Sequence, residues 1–308
     1  MRKTFLCLAA CALLTQTAYA GFSVGMTGSV IKRVQKLDDR VKQKNQELLP
    51  VTPPPSSPGA AWVLVPGNSS LGTGDFYVMA YEAKNVGGVA TSQADLTPWG
   101  NITHPSAVAA CAALGGGAHL VTIAEAQTIN INIAAQSTNW ANGVIGSLVS
   151  AGGGLKRGNN MANDSATYDH GDFDYGAIPS AERILKAKLV LSTGGELWDW
   201  AGNVWELLYG AGANGAMGIP GGVAFDGSGY GQQWSSVALN EERPVIGPSD
   251  SSWTTDNGVG YYYGGTTITG GMLRGGGRFD GANSGVFAYS PGNELSFVTV
   301  EFGFRCAR

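Results

Sequence analysis

The cysteines constrain this chain more than any other feature. There are four, Cys7, Cys11, Cys111 and Cys306, and the first two fall inside a segment that reads as an export signal. Arg2 and Lys3 supply a positive start, an apolar run extends from Phe5 to Leu14, and Ala18-Tyr19-Ala20 is an A-x-A cleavage site. Cleavage after Ala20 leaves Cys111 and Cys306 alone in the mature chain. Exported proteins meet an oxidising compartment, so one disulfide is expected between them, with two buried free thiols as the alternative. The enclosed loop is very long, and the chain-entropy model puts its stabilisation at about 5 kcal/mol. Two cysteines cannot build a four-thiolate zinc site. Leu8-Ala9-Ala10-Cys11 also resembles a lipobox, but the seven residues between Lys3 and Cys11 are short for an export core. The expected location is therefore secreted, periplasmic or cell-surface, with a lipid anchor the lesser reading.

Glycine is the second constraint. It supplies 47 of 308 residues, near twice the ordinary share of about 7%. With 44% hydrophobic residues, eight tryptophans and eleven tyrosines, the chain can still build a full core, so it reads as folded but loop-rich. The net charge of -4 argues against a generally basic nucleic-acid binder. Beyond the N-terminus no apolar run is long enough to span a bilayer.

Residues 21–50 read as a short amphipathic stalk. Val30, Val34, Leu37, Val41 and Leu48 follow a four-three step with a polar break at Lys44. This is a weak coiled-coil pattern that would allow a homo-oligomer through residues 30–48, the alternative being a solvated single helix. Residues 51–60, with Pro53-Pro54-Pro55-Ser56-Ser57-Pro58, form a stiff linker. The main domain is expected over 61–308. Trp62–Pro66 and Phe76–Tyr81 read as strands. A helix over Pro105–Leu114 carries Cys111, and a second runs from Ala124 to about Gln136. Residues 141–181 and 209–270 read as long irregular loops, of the kind that serve function or are held by a metal or disulfide.

Three segments together carry a family pattern. They are Trp62–Lys84 (WVLVPGNSSLGTGDFYVMAYEAK), Leu197–Glu206 (LWDWAGNVWE), and Leu273–Gly277 (LRGGG) with the closing Phe302–Arg308 (FGFRCAR). Over about residues 60–308 the chain resembles the formylglycine-generating-enzyme, or sulfatase-modifying-factor, superfamily, a variant of the C-type lectin fold. The resemblance implies an α+β, loop-rich domain with short strands and two main helices. It also implies the Cys111–Cys306 pairing, because family members join a helix cysteine to the cysteine of the terminal GFRC strand.

Family fold does not confer family chemistry. The oxygen-using members bind copper through two further cysteines upstream of GFRC, and this chain has none between Cys111 and Cys306. Thiolate is the soft ligand that Cu(I) needs. Iron-using relatives need grouped histidines, and His104, His119 and His170 lack helical i, i+4 spacing. Neither copper nor iron is expected. No G-x-S-x-G elbow occurs, and Gly152-Gly153-Gly154 lacks the lysine of a phosphate loop. Paired carboxylates for glycoside hydrolysis stay open. Calcium is the expected cofactor. Asp199 and Glu206 are hard ligands around a tight turn, and the resemblance adds the carbonyls of Gly202 and Val204. The alternative is a structural turn. The acidic run from Asp169 to Asp174 could host a second ion, or is a solvated loop.

The C-terminal segment, about 274–300, looks like a frame with exchangeable residues set into it. Leu273-Arg274-Gly275-Gly276, Gly281-Ala282, Gly285–Ala288 and Gly303–Cys306 form the frame. Between them stand Arg278, Phe279, Asp280, Asn283, Ser284, Tyr289, Ser290, Pro291, Asn293, Glu294, Ser296, Phe297 and Thr299. This resembles the variable region of target proteins of diversity-generating retroelements, in which adenine-directed mutagenesis alters asparagine-type codons. Glu294 is not reachable from such a codon. The resemblance implies a ligand-binding face made of Phe279, Asp280, Asn283, Tyr289, Ser290, Asn293, Glu294, Ser296 and Phe297. Aromatics interleaved with small polar residues suit adaptable binding. The expected function is an exported, non-catalytic binding protein for a protein or glycan ligand at a surface. The alternatives are a formylglycine-generating-type oxidoreductase with an atypical metal site and a structural cell-envelope protein.

Overall fold

The computed structural model describes residues 61–94, 96–158, 160, 187–210, 231–234, 247–250, 252–263 and 271–308. The chain divides into two units, Met1–Pro53 and Pro54–Arg308, and every described residue belongs to the second. The export segment, the stalk, the proline linker and the acidic run from Asp169 to Asp174 lie outside the described residues. Among the described residues the fold is mixed α+β, with two helices and several small sheets, and no helix is long and apolar enough to cross a membrane.

Strand β1 (Trp62–Val65) pairs antiparallel with β2 (Phe76–Met79), from Trp62↔Met79 to Val65↔Phe76. Val63 and Val65 alternate into the core, as the period of a half-buried strand requires. A hairpin follows, β3 (Ala83–Val86) and β4 (Val89–Ser92). Its two turn residues, Gly87 and Gly88, both have positive φ, 61° and 86°, which suits a tight two-residue turn and disfavours a side chain at either place.

Helix α1 (His104–Ala112) starts at Thr103, whose hydroxyl accepts from Ser106 N at 3.2 Å, with Pro105 in the first turn. Strand β5 (His119–Leu120) leads into helix α2 (Ile123–Ala134). A full capping box starts α2: Glu125 N donates to Thr122 Oγ1 (3.2 Å), and Thr122 N donates to Glu125 Oε2 (2.9 Å). Ile123, Ala126, Ile129 and Ile133 bury one face of α2.

Short strands complete the domain: β6 (Lys188–Val190), β7 (Glu196–Trp198), β8 (Trp205–Leu208), β9 (Gly231–Gln232), β10 (Tyr262–Tyr263), β11 (Gly271–Arg274), β12 (Tyr289–Asn293), β13 (Phe302–Phe304) and β14 (Cys306–Ala307). One sheet has the order β1-β2-β14-β5 and a larger one β13-β8-β11-β12-β10-β9. The last strand therefore lies inside the first sheet, where Tyr77 and Arg308 exchange both backbone hydrogen bonds at 2.8 and 2.9 Å. Strands β9 and β10 fall within 209–270, a stretch that reads as loop in the sequence; they are two residues each, too short to leave a periodic signal.

Cys111 on α1 and Cys306 on β14 form a disulfide with a Cα–Cα distance of 5.4 Å, closing a separation of 195 residues. Both are fully buried among Met79, Leu120, Leu207 and Phe304. A second cluster gathers Trp140, Trp200, Trp234, Tyr262, Phe287 and Tyr289 against α2.

Candidate functional site

The turn between β7 and β8 carries the AGN motif. Asp199, Gly202 and Asn203 all take left-handed backbone, with φ of 57°, 74° and 61°. Such curvature folds the chain back sharply, and Gly202 N anchors it on Gly275 O at 3.0 Å. Glu206 follows on β8, opposite Arg274 of β11 in the sheet register. Its Oε1 accepts from Arg305 Nε at 2.7 Å, and its Oε2 lies 3.4 Å from Arg274. Arg305 also donates to the carbonyls of Met79, Ala80 and Trp198. Arg274 donates to the Trp200 carbonyl and stacks 3.4 Å from the Trp200 ring centre.

Glu82 extends this network. Asn203 Nδ2 donates to it at 2.6 Å, and Lys84 Nζ lies 3.6 Å away. Glu82, Asp199 and Glu206 thus share one buried region with Lys84, Arg274 and Arg305, none of the six more than 4% exposed. Three carboxylates meet three cations, so the formal charges cancel. Burial pushes the Glu82 carboxyl well above the usual range while Lys84 opposes it, and burial pushes the Lys84 ammonium down. Burial also lowers Arg274 to about 10, against the pull of Glu206, so it stays charged at neutral pH.

This arrangement bears directly on calcium. The ion takes 6–8 oxygen ligands with anionic carboxylates among them. Both oxygens of Glu206 already face a guanidinium. Among the described residues no group of three or more His, Cys, Asp or Glu could hold a metal. The set Asp199, Gly202, Val204 and Glu206 therefore does not fit calcium, because arginines supply the counter-charge that an ion would bring.

His104 and His119 have separate roles. His104 is buried, its Nε2 lies 2.9 Å from Leu208 O, and its ring stacks on Tyr209. His119 Nε2 lies 2.9 Å from Glu125 Oε1. His170 lies outside the described residues.

In the C-terminal segment the frame is buried at Leu273–Gly276, Gly281, Gly285–Ala288 and Gly303–Cys306, but Ala282, read as frame in the sequence, is exposed. The intervening residues divide. Phe279 (56% exposed), Phe297 (51%), Glu294 and Ser296 are exposed, while Asp280, Asn283, Ser290 and Asn293 are half-buried. Tyr289 corrects the sequence expectation. It is fully buried, accepts from Asn130 Nδ2 at 2.8 Å and packs edge-on to Trp234. It therefore cannot belong to a binding face. Arg278, Ser284 and Pro291 are buried as well. Strand β12 lies inside its sheet between β11 and β10, so a place between frame residues does not carry a side chain outward.

The folded chain adds residues to this face that lie outside the C-terminal segment. Trp205 and Tyr263 meet edge-on with ring centres 5.6 Å apart, and Tyr261 meets Tyr263 at 6.4 Å. All three are half-buried. Asp280 Oδ2 accepts from Gly277 N at 2.6 Å. Arg278 pairs with Glu301 at 3.2 Å and lies over the Phe279 ring at 4.5 Å. The run Tyr261-Tyr262-Tyr263 was the available signal, with Tyr262 alone buried by strand alternation. Elsewhere, exposed Val300 borders a cleft of about 420 Å³ lined also by Leu96, Pro98 and Trp99. No family model and no curated protein matches this chain.

Proposed function

We propose that this is an exported, non-catalytic ligand-binding protein. On this reading the domain is a C-type lectin-like scaffold resembling the formylglycine-generating-enzyme superfamily, and its C-terminal segment is a face diversified by a retroelement. The ligand is a protein or glycan at a surface. One observation carries the reading: Phe279 and Phe297, more than half exposed, stand on connections between buried frame residues. Aromatics are favoured as binding hot spots.

The gene in independent isolates provides the test. Adenine-directed changes confined to the codons of Phe279, Asp280, Asn283, Ser290, Asn293, Ser296 and Phe297, with frame codons constant, support the reading. Substitutions spread evenly over the frame overturn the diversification. Binding is tested on a glycan array and on intact cells with wild type and a Phe279→Ala/Glu294→Ala/Phe297→Ala variant. Equal binding by both proteins would remove the face from the ligand site.

A further inference from the structure

We infer that Trp205, Tyr261, Tyr263 and Asp280 form a subsite for an organic cation, an ammonium or guanidinium group, on this face. The inference rests on the ligand-binding reading above and names the chemistry of part of the ligand.

The rings come first. Trp205 and Tyr263 stand at 74° to one another and Tyr261 and Tyr263 at 66°, so the three present both faces and edges rather than a flat stack. Each is partly open to solvent. Aromatic faces are negative and attract cations, most strongly at Trp.

The carboxylate comes second. Asp280 Oδ2 is fixed by Gly277 N at 2.6 Å. Among the described residues it forms no ion pair. The nearby cation, Arg278, is engaged by Glu301 at 3.2 Å, and Glu301 in turn feels the charge of Asp280. Among the described residues, two carboxylates, Asp280 and Glu301, stand near one guanidinium, Arg278. Burial raises the Asp280 carboxyl, and burial followed by the charge of Asp280 pushes the Tyr263 phenol up to about 12. Tyr263 is therefore a neutral ring, and the field of Asp280 reaches it.

The close fit of Gly277 is a third observation. A Cβ there would stand 3.2 Å from the Trp205 ring and 3.4 Å from Asp280 Oδ2, so glycine lets the indole and carboxylate converge. A metal ion suits this place less than an organic cation, since the rings offer it no oxygen ligands.

The test uses the full mature protein, with the Trp205 indole resonance identified through Trp205→Phe. Choline chloride should shift that resonance saturably, with a dissociation constant on the order of millimolar, beyond the effect of equal sodium chloride. Its neutral isostere dimethylbutanol should bind at least about tenfold more weakly, and Asp280→Asn should weaken choline by a similar factor. A choline response no larger than that of sodium chloride, or equal binding of the neutral isostere, overturns the subsite. The isostere comparison is made on wild type, so it decides the matter even where Asp280→Asn is poorly folded. None of the residues in the triple-alanine variant above belongs to this subsite. Failure here with that variant still losing ligand sinks the cation chemistry alone.

Discussion

Glu206 Oε1 and Arg305 Nε lie 2.7 Å apart, in residues 2% and 0% exposed. The pair joins β8 to the residue between β13 and β14, and the same guanidinium reaches the carbonyls of Met79 and Ala80. Removing one partner unbalances a buried network: without Arg305, Glu206 keeps only Arg274, and without Glu206 both guanidiniums lose their shared carboxylate. Glu206→Ala and Arg305→Ala should each cost about 3–5 kcal/mol, read from urea unfolding of the mature protein. A loss below about 1 kcal/mol, the range of an exposed pair, would refute this role.

The same pairing predicts that Glu206 takes no part in any response to calcium. An ion that binds only the native state raises Tm by mass action. Since guanidinium groups already face both oxygens of Glu206, Glu206→Gln should not alter how Tm responds to EDTA or to added calcium. A calcium-dependent rise that Glu206→Gln abolishes would restore the metal site.

Reduction should destabilise the domain. The Cys111–Cys306 bridge spans 195 residues, and removing such a bridge costs about 2–5 kcal/mol. The Cys111→Ala/Cys306→Ala protein should unfold at correspondingly lower denaturant. Alkylation of native protein without reductant should modify neither cysteine, and two labelled thiols by mass spectrometry would disprove the bridge.

What the sequence made legible was local. The helices expected over Pro105–Leu114 and from Ala124 to about Gln136 form at His104–Ala112 and Ile123–Ala134. Strands β1 and β2 were readable as short runs of apolar, aromatic and branched residues. The charge network was not, because the partner of Glu206 stands 99 residues away. Seen along the chain, Asp199 and Glu206 are hard ligands around a turn; only folding brings Arg274 and Arg305 to them. Strand β12 contains Pro291 and a register irregularity opposite Gly271–Leu273, so it carries no strand signature. The aromatic face was half legible: Phe279 and Asp280 were visible as candidates, while Trp205 and Tyr263 join them only through sheet pairing.

The His119–Glu125 pair makes stability depend on pH. The hydrogen bond from His119 to Glu125 raises His119 above its ordinary 6.5 despite partial burial. Burial alone would raise Glu125, but His119 and Thr122 hold it below 4.5. The histidine's share of stability is fully present below 6.5 and lost as pH rises through its raised value. The carboxylate's share is present above 4.5 and lost as pH falls through its lowered value. Both act together between 4.5 and 6.5. His119→Gln should therefore lose more stability relative to wild type at about pH 5.5 than at about pH 8.5. His104 is common to both proteins and cancels. An equal difference at the two pH values would rule out the linkage.

Tyr289 and Phe279 stood together as candidate contacts, and their environments now predict opposite behaviour. Tyr289 is fully buried, with its hydroxyl on Asn130 at 2.8 Å and its ring edge-on to Trp234. Tyr289→Ala opens a cavity and strands the Asn130 amide, so it should cost about 3–5 kcal/mol. Tyr289→Phe loses only the hydroxyl and should cost about 1–3 kcal/mol. Phe279 is 56% exposed, and its ring contact is the Arg278 guanidinium at 4.5 Å. Phe279→Ala should change stability by no more than about 1 kcal/mol. Glu294→Ala, at an exposed position, should stay within about 0.5 kcal/mol. Urea midpoints for these four variants provide the check. If Tyr289→Ala proved as mild as Glu294→Ala, Tyr289 would not be a core residue and would return to the face from which its burial removes it.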